Sequence, residues 1–178
     1  ICFNPDEEIG EGAWDLDVEE LGADYAYTID GGRAGEIIYE CFNASVAMIH
    51  VNGFNVHPGQ SKDRMINAGL IAARIAAQLP TYETPRDTSG YLGFFHLSSL
   101  QGNTEKADMR IIIRDHSEEN FRHREETLRR IVAEMNRLYG EGTVQLDLRE
   151  QYRNMGDEIR KHFHLVENAV AAIRECGI

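Results

Sequence analysis

The fold is decided by residues 109–119, MRIIIRDHSEE, where an apolar strand pattern runs directly into a helix start. The apolar run up to Arg114 predicts a buried strand. Asp115 or Ser117 can then cap a following helix, and the two glutamates after Ser117 would favour the helix dipole in its first turn. The stretch therefore predicts a strand that is followed at once by a helix.

On either side of this stretch, the chain shows three more strand patterns and one more helix pattern. Towards the N-terminus they are an alternating strand that begins at Phe42, a helix over 62–79 and a strand over 91–100. Towards the C-terminus, strict apolar–polar alternation over 144–148 predicts a half-buried strand. The predicted order over 42–150 is β-α-β-β-α-β, the ferredoxin-like arrangement of an antiparallel sheet with both helices on one face.

The two ends of the chain show different patterns from this central region. Residues 1–32 predict a strand, a short helix and a second strand, as in part of an α/β domain. Residues 151–178 predict a final helix, with Gly177 suited to the position after its end. Because the chain lacks an initial methionine and opens inside a strand pattern, we expect it to be an internal part of a longer protein.

Composition excludes several classes of function. The chain has 178 residues and a net charge of −12, from 18 basic and 30 acidic residues, which argues against nucleic acid or an anionic membrane as a partner. Cys2, Cys41 and Cys176 are widely spaced and odd in number, which favours a reducing cytoplasm over a disulfide framework. The chain contains no CxxC pair, so a thiolate zinc site is not expected. No apolar run approaches the ~20 residues of a membrane span.

Two apolar runs end in carboxylates near the N-terminus. Pro5 is followed by three acidic residues at 6–8, and a second run ends at Asp30 before two glycines. Adjacent carboxylates repel each other unless water or a metal ion neutralises them. Two neighbouring strands that end in carboxylates at one sheet edge would form a metal cradle, and a further carboxylate could serve as general base. The alternative interpretation is a solvated acidic surface.

Four motifs occur in order along the chain: PDEEIG at 5–10, TIDGG at 28–32, NVHPG at 55–59 and IIRD at 112–115. Together they closely resemble the peptidase T family of tripeptide aminopeptidases, within the dinuclear-zinc exopeptidase superfamily. The resemblance runs along essentially the whole chain. It implies a cytoplasmic homodimer with two zinc ions per active site, which releases the N-terminal residue of tripeptides.

The same resemblance implies a domain organisation. Residues 1–40 would belong to an α/β catalytic domain, and residues 41–150 would form an inserted ferredoxin-like lid and dimerisation domain. Residues 151–178 would return to the catalytic domain. Cys41 stands where an asparagine is common in the family, which can alter the hinge between the two domains.

The resemblance also implies roles for individual residues. Glu7 would be the general base that activates the attacking water, and Glu8 and Asp30 would each bind one zinc. His57 resembles the lid histidine that donates to the substrate carbonyl oxygen in the transition state, often across a dimer interface. Without the resemblance, a histidine in such a turn is usually just exposed. Asn154 resembles a family position near the substrate.

Arg114 is a candidate for substrate binding. It alternates out of phase with Ile111 and Ile113, so it faces the free side of the sheet if those two face the helices. A guanidinium there can hold the C-terminal carboxylate of a peptide in a bidentate pair. The alternative is a salt bridge to a neighbouring aspartate, Asp115 or Asp108.

The chain lacks part of the metal site that the resemblance implies. The family's upstream histidine, metal-bridging aspartate and late histidine ligand have no matching motif here, so this chain alone is expected to be inactive and to hold zinc incompletely. Two alternatives remain open. One is a sister-branch dipeptidase, carboxypeptidase or deacylase with the same metal cradle, and the other is a non-catalytic dimerisation module.

Overall fold

The run of three isoleucines lies in an interior strand of a four-stranded antiparallel sheet. The structure is a computed structural model that describes residues 1–3, 5 and 16–178. Its sheet has the spatial order β2-β3-β1-β4, so β2 and β4 are the edge strands. The strands are β1 (Asn43–Asn52), β2 (Phe94–Gly102), β3 (Lys106–Asp115) and β4 (Val144–Tyr152).

Two helices complete this unit, α2 (Ala68–Gln78) and α3 (Glu118–Tyr139), which gives the element order β-α-β-β-α-β. Ser117 is the N-cap of α3, and its hydroxyl accepts a hydrogen bond from the third residue along the chain. Two further helices follow β4, α4 (Gly156–Lys161) and α5 (His164–Glu175). No helix in the described part of the chain combines the length and apolar character needed to cross a membrane.

The hydrophobic core lies between one face of the sheet and the two long helices. Alternate residues of β3 point into it, as the period of a strand requires. Burying one aliphatic or aromatic side chain of this size contributes about 1.5–3 kcal/mol, so the core dominates the stability of the unit. Its fully buried members include Ile49, Ile71, Ile75, Ile111, Ile113, Phe121 and Leu128.

The face of β1 that packs against the helices is not the face that the first residues of the strand pattern predict. Val46 and Met48 are only partly buried on the free face, whereas Ala47 and Ile49 are in the core. The polar side chain on the helix face, Ser45, is satisfied because its hydroxyl donates to a carboxylate of α3 at 2.5 Å. Both alternations along β1 contain apolar residues, so local pattern could not decide between them.

Helix α2 begins at Ala68 and not at the predicted Lys62. The side chain of Asn67 caps it by accepting a backbone N–H from the first turn. Ile66 is held in extended conformation because it forms a β-bridge with Phe54, with N···O distances of 2.8 and 2.9 Å. The apolar residues before the cap therefore belong to a loop.

The described residues form two units, Ile1–Glu36 and Ile37–Ile178. The first unit contains α1 (Val18–Leu21), with Asp17 as its N-cap. The predicted strand over 25–30 is wrong, because these described residues are not in a β-ladder. A strand is stabilised by ladder hydrogen bonds, and an apolar run does not supply them without a partner strand.

Candidate functional site

Glu7 and Glu8, the predicted general base and zinc ligand, lie outside the described residues. The predicted ligand Asp30 is exposed, and its Oδ1 accepts a hydrogen bond from the Gly31 N–H at 2.6 Å. Within the described residues no group of three histidine, cysteine or acidic side chains converges to hold a metal ion. An exposed carboxylate with one oxygen engaged fits the role of a single zinc ligand, but a two-metal site needs several such donors.

His57 caps a short 3₁₀ turn, Pro58–Gln60, in the loop after β1. The ring is exposed, and its Nδ1 accepts a hydrogen bond from the Gly59 N–H at 3.2 Å. An Nδ1 that accepts carries no proton, so the neutral ring has its proton on Nε2. The turn therefore fixes the tautomer and leaves an N–H donor on the outer side of the ring.

Arg114 lies on the free face of the sheet, as its alternation with the buried isoleucines predicted. It is half-buried, and four neighbouring groups hold its guanidinium. Nη1 donates to the carbonyls of Ser45 (3.1 Å) and Ile113 (2.9 Å), and Nη2 donates to Oε1 of Gln151 (3.0 Å). The guanidinium carbon is 5.4 Å from the ring centroid of Tyr152.

The two aspartates offered as alternative partners of Arg114 are engaged elsewhere. Asp115 is 1% exposed and accepts from Nε of Arg124 at 2.9 Å. Asp108 pairs with Nδ1 of His50 at 2.6 Å. No carboxylate of the described residues lies within ion-pair distance of Arg114, so none of these carboxylates neutralises its charge.

Asn154 connects the segment that enters the sheet unit to the segment that leaves it. Its Oδ1 accepts from the backbone N–H groups of Cys41 (3.1 Å) and Gly156 (2.8 Å), and its Nδ2 donates to the His116 carbonyl (3.2 Å). Its own N–H donates to Oδ1 of Asn43 at 2.9 Å. The amide is thus occupied with backbone groups. Cys41 contributes its backbone N–H to this bond, and its Sγ donates to the Arg153 carbonyl at 3.6 Å.

Gln151 and Tyr152 are the site residues that sequence reasoning missed. They hold Arg114 from the neighbouring end of β4. The one available signal was that the alternation of β4 stops being regular after 148.

Arg114 and His57 lie towards opposite ends of the sheet. Arg114 pairs with Ala44 near the start of β1, whereas His57 follows Asn52 at its end. The eight residue steps from Ala44 to Asn52 span roughly 26 Å. A fully extended tripeptide spans only about 10 Å. The two ends of β1 are therefore farther apart than one small peptide can reach.

Comparison with known proteins identifies the central region. A family model described as peptidase dimerisation domain matches residues 39–143, which is more than half of the chain. The chain belongs to the peptidase dimerisation domain family. Of the predicted site residues, His57 and Arg114 lie inside the part that matches this family.

Relatives of this chain are named peptidase T, the family that the four sequence motifs resemble. Peptidase T from Clostridium perfringens is 50% identical over all 178 residues, which are 44% of its own length. Peptidase T from Caldanaerobacter subterraneus is 47% identical, again over the whole chain and 44% of the relative. The resemblance to the peptidase T family is confirmed, and the chain spans less than half the length of these curated relatives.

Two solved structures show the same fold at low sequence identity. The aminopeptidase PepT from Bacillus cereus matches with a TM-score of 0.66 and 21% identity, over 80% of this chain and 39% of that one. A tripeptidase from Staphylococcus aureus matches with a TM-score of 0.67 and 16% identity, over 80% of this chain and 38% of that one. The fold of this chain therefore also occurs in proteins that have little sequence identity with it.

Proposed function

We propose that this chain is the lid, together with part of the catalytic domain, of a cytoplasmic zinc aminopeptidase that releases the N-terminal residue of tripeptides. The observation that carries this proposal is the 50% identity to a peptidase T over every residue of the chain. The ferredoxin-like lid would comprise residues 41–150, and residues 1–40 and 151–178 would belong to the catalytic domain.

The proposed chemistry divides among four residues of the chain. Glu8 and Asp30 would hold zinc, which as a Lewis acid would polarise the scissile carbonyl and make water a stronger nucleophile. The carboxylate of Glu7 would accept the proton of the attacking water. The Nε2–H of His57 would donate to the carbonyl oxygen as negative charge develops there.

Arg114 would bind the substrate at its other end. A guanidinium that pairs with no carboxylate in the described part of the chain can hold the C-terminal carboxylate of the peptide. When that clamp is fixed at one distance from the scissile bond, it selects for peptide length, which is how three residues would be preferred. Asn154 would then support the substrate region through the backbone groups that it holds in place.

The positions of Arg114 and His57 support a homodimer. Since the two side chains lie towards opposite ends of one sheet, a single tripeptide would meet Arg114 of one subunit and His57 of the partner subunit. A two-fold contact between edge strands pairs them antiparallel, which brings the His57 end of one sheet to the Arg114 end of the other. The description of the family as a dimerisation domain agrees with this arrangement.

Strand β2 is the edge that fits such a contact. It has nine residues, FFHLSSLQG, with no aspartate, glutamate, lysine or arginine. The other edge strand, β4, carries Asp147, Arg149 and Glu150. Exposed edges are usually protected by charge, because an uncharged edge offers its free backbone groups to another strand. We infer that a second copy of β2 covers this edge.

A lysine on β2 is expected to weaken the dimer. Leu100 is 42% exposed, so Leu100→Lys removes little core packing while it places a desolvated charge in the contact. We expect the dimer dissociation constant to rise at least about tenfold, from a penalty of ~1.4 kcal/mol or more. Sedimentation of the complete protein across a dilution series measures this. Gln145→Lys on β4 is the matched control, and equal dissociation constants for the two variants would exclude β2 as the interface.

Substrate profiling of the complete protein tests the proposed activity. We expect chelator-sensitive release of the N-terminal residue from a free tripeptide, and no cleavage of the matching dipeptide or an N-acylated tripeptide. The 178-residue chain alone should be inactive, because further zinc ligands of the family have no match in it. Cleavage of the dipeptide or the blocked peptide would assign the protein to a sister branch. Absence of all cleavage would favour the non-catalytic dimerisation module.

A further inference from the structure

Strand β4 contains a bulge beside Arg114. Ser45 of β1 pairs with Glu150, but its neighbour Ala44 pairs with Tyr152, so Gln151 is an additional residue on β4. In a regular strand two successive side chains point to opposite faces of the sheet. A bulge changes the direction of the side chains at that point. Here it allows two consecutive residues to contact the same guanidinium.

The small residue between the strands makes this contact possible. Ala44 pairs with Arg114 on one side and with Tyr152 on the other, and it is fully buried. A methyl side chain leaves room for the guanidinium to extend across β1 towards the ring, which it approaches to 5.4 Å from the centroid. Gln151 then fixes the rotation of the guanidinium by accepting from Nη2 at 3.0 Å.

The contacts of Arg114 leave one part of the guanidinium open. The group has five N–H donors, and Nη1 uses both of its donors on the carbonyls of Ser45 and Ile113. Nη2 uses one donor on Gln151. Among the described residues, the remaining donors, Nε–H and one Nη2–H, have no acceptor. Nε and Nη2 are the two nitrogens of one edge of the planar fork, and such an edge can meet both oxygens of a carboxylate.

We propose, on the basis of the function proposed for Arg114, that Gln151 and Tyr152 are positioning residues. They hold the guanidinium in one orientation before substrate arrives, with its Nε and Nη2 edge directed to the substrate. The ligand that this edge recognises is the free C-terminal carboxylate of a short peptide. A flexible arginine would have to be ordered on binding, which weakens affinity.

The test compares a tripeptide that has a free C-terminus with its C-terminal amide, using the complete enzyme. Gln151→Ala and Tyr152→Ala should each raise KM for the free acid by roughly threefold to tenfold, from the cost of ordering one long side chain. The kcat for that substrate and the KM for the amide should change by less than about twofold, since neither residue touches the reacting atoms. Tyr152→Phe, which keeps the ring, should recover most of the affinity lost in Tyr152→Ala.

Two further variants separate positioning from other effects. Gln145→Ala, on the same strand but distant from Arg114 in the register, should leave both substrates unaffected. Arg114→Ala should raise KM for the acid to that of the amide, and adding Gln151→Ala to it should raise KM no further.

The outcomes distinguish this inference from the proposal on which it rests. If Arg114→Ala leaves the preference for acid over amide intact, the role proposed for Arg114 is wrong. If Arg114→Ala removes that preference but Gln151→Ala and Tyr152→Ala do not reduce it, Arg114 binds the carboxylate and the positioning inference is wrong. Equal losses on acid and amide in the Gln151 and Tyr152 variants would also overturn it, because they would indicate general structural damage.

Discussion

Replacement of Glu7 by glutamine is expected to lower kcat for tripeptide hydrolysis by about 10²–10⁴-fold in the complete enzyme, the range that a positioned general base contributes. Glutamine has nearly the same shape as glutamate, but it cannot accept the proton of the attacking water. Because Glu7 is not a ligand in the proposed site, zinc content should stay at the wild-type value. Steady-state kinetics together with metal analysis of the same sample measure both quantities.

Two neighbouring substitutions control this result. Glu8→Gln should lose zinc as well as turnover, because Glu8 is the proposed ligand. Glu19→Gln, on the exposed surface of α1, should change neither. Wild-type turnover in Glu7→Gln would remove Glu7 from the mechanism, and loss of zinc in that variant would make it a ligand.

Replacement of His57 by alanine is expected to lower kcat by about 10²–10³-fold, the effect of removing one donor to a developing oxyanion. The Gly59 N–H bond to Nδ1 sets the ring so that its Nε2–H is the available donor. That proton matters most when charge develops on the carbonyl oxygen, so KM should change much less than kcat. Initial rates over a range of tripeptide concentrations separate the two parameters.

His57→Asp distinguishes the donated proton from the structure of the turn. Aspartate is also a good N-cap, so it can accept the Gly59 N–H, but its ionised carboxylate has no proton to donate. It should therefore lose as much kcat as His57→Ala does. His123→Ala, at an exposed position of α3, is the control for loss of a surface histidine. Substantial activity in His57→Asp would show that the turn is needed and the proton is not.

The features that sequence predicted well depend on neighbours along the chain. The face on which Arg114 lies followed from its alternation with Ile111 and Ile113, since strand geometry repeats every two residues. The start of α3 followed from the two capping candidates, Asp115 and Ser117, because a capping side chain reaches only into the first turn of its own helix, and Ser117 is the cap. The element order of the sheet unit follows from adding such local signals.

The features that sequence did not predict depend on residues that are far apart along the chain. The start of α2 was misplaced because Ile66 pairs with Phe54 across a loop. The bulge at Gln151 is set by the register between β1 and β4, and the loss of alternation after 148 does not by itself specify a register shift. The hydrogen bond between Asn154 and Cys41 joins positions 113 residues apart.

The residues of the proposed metal site were assigned from sequence motifs. Glu7 and Glu8 were inferred from motifs and lie outside the described residues, so their roles stay predictions. Asp30 is described, and its exposed carboxylate has the chemistry of a zinc ligand. Metal analysis of the Glu8→Gln variant is therefore the direct test of this part of the site.

The amide of Asn154 has a mechanical consequence. It joins the incoming segment at Cys41 and the outgoing segment at Gly156 to the same side chain, and it is anchored on the His116 carbonyl. The two segments therefore meet at one rigid amide, and neither can move away from the other at this point without breaking a hydrogen bond to Asn154.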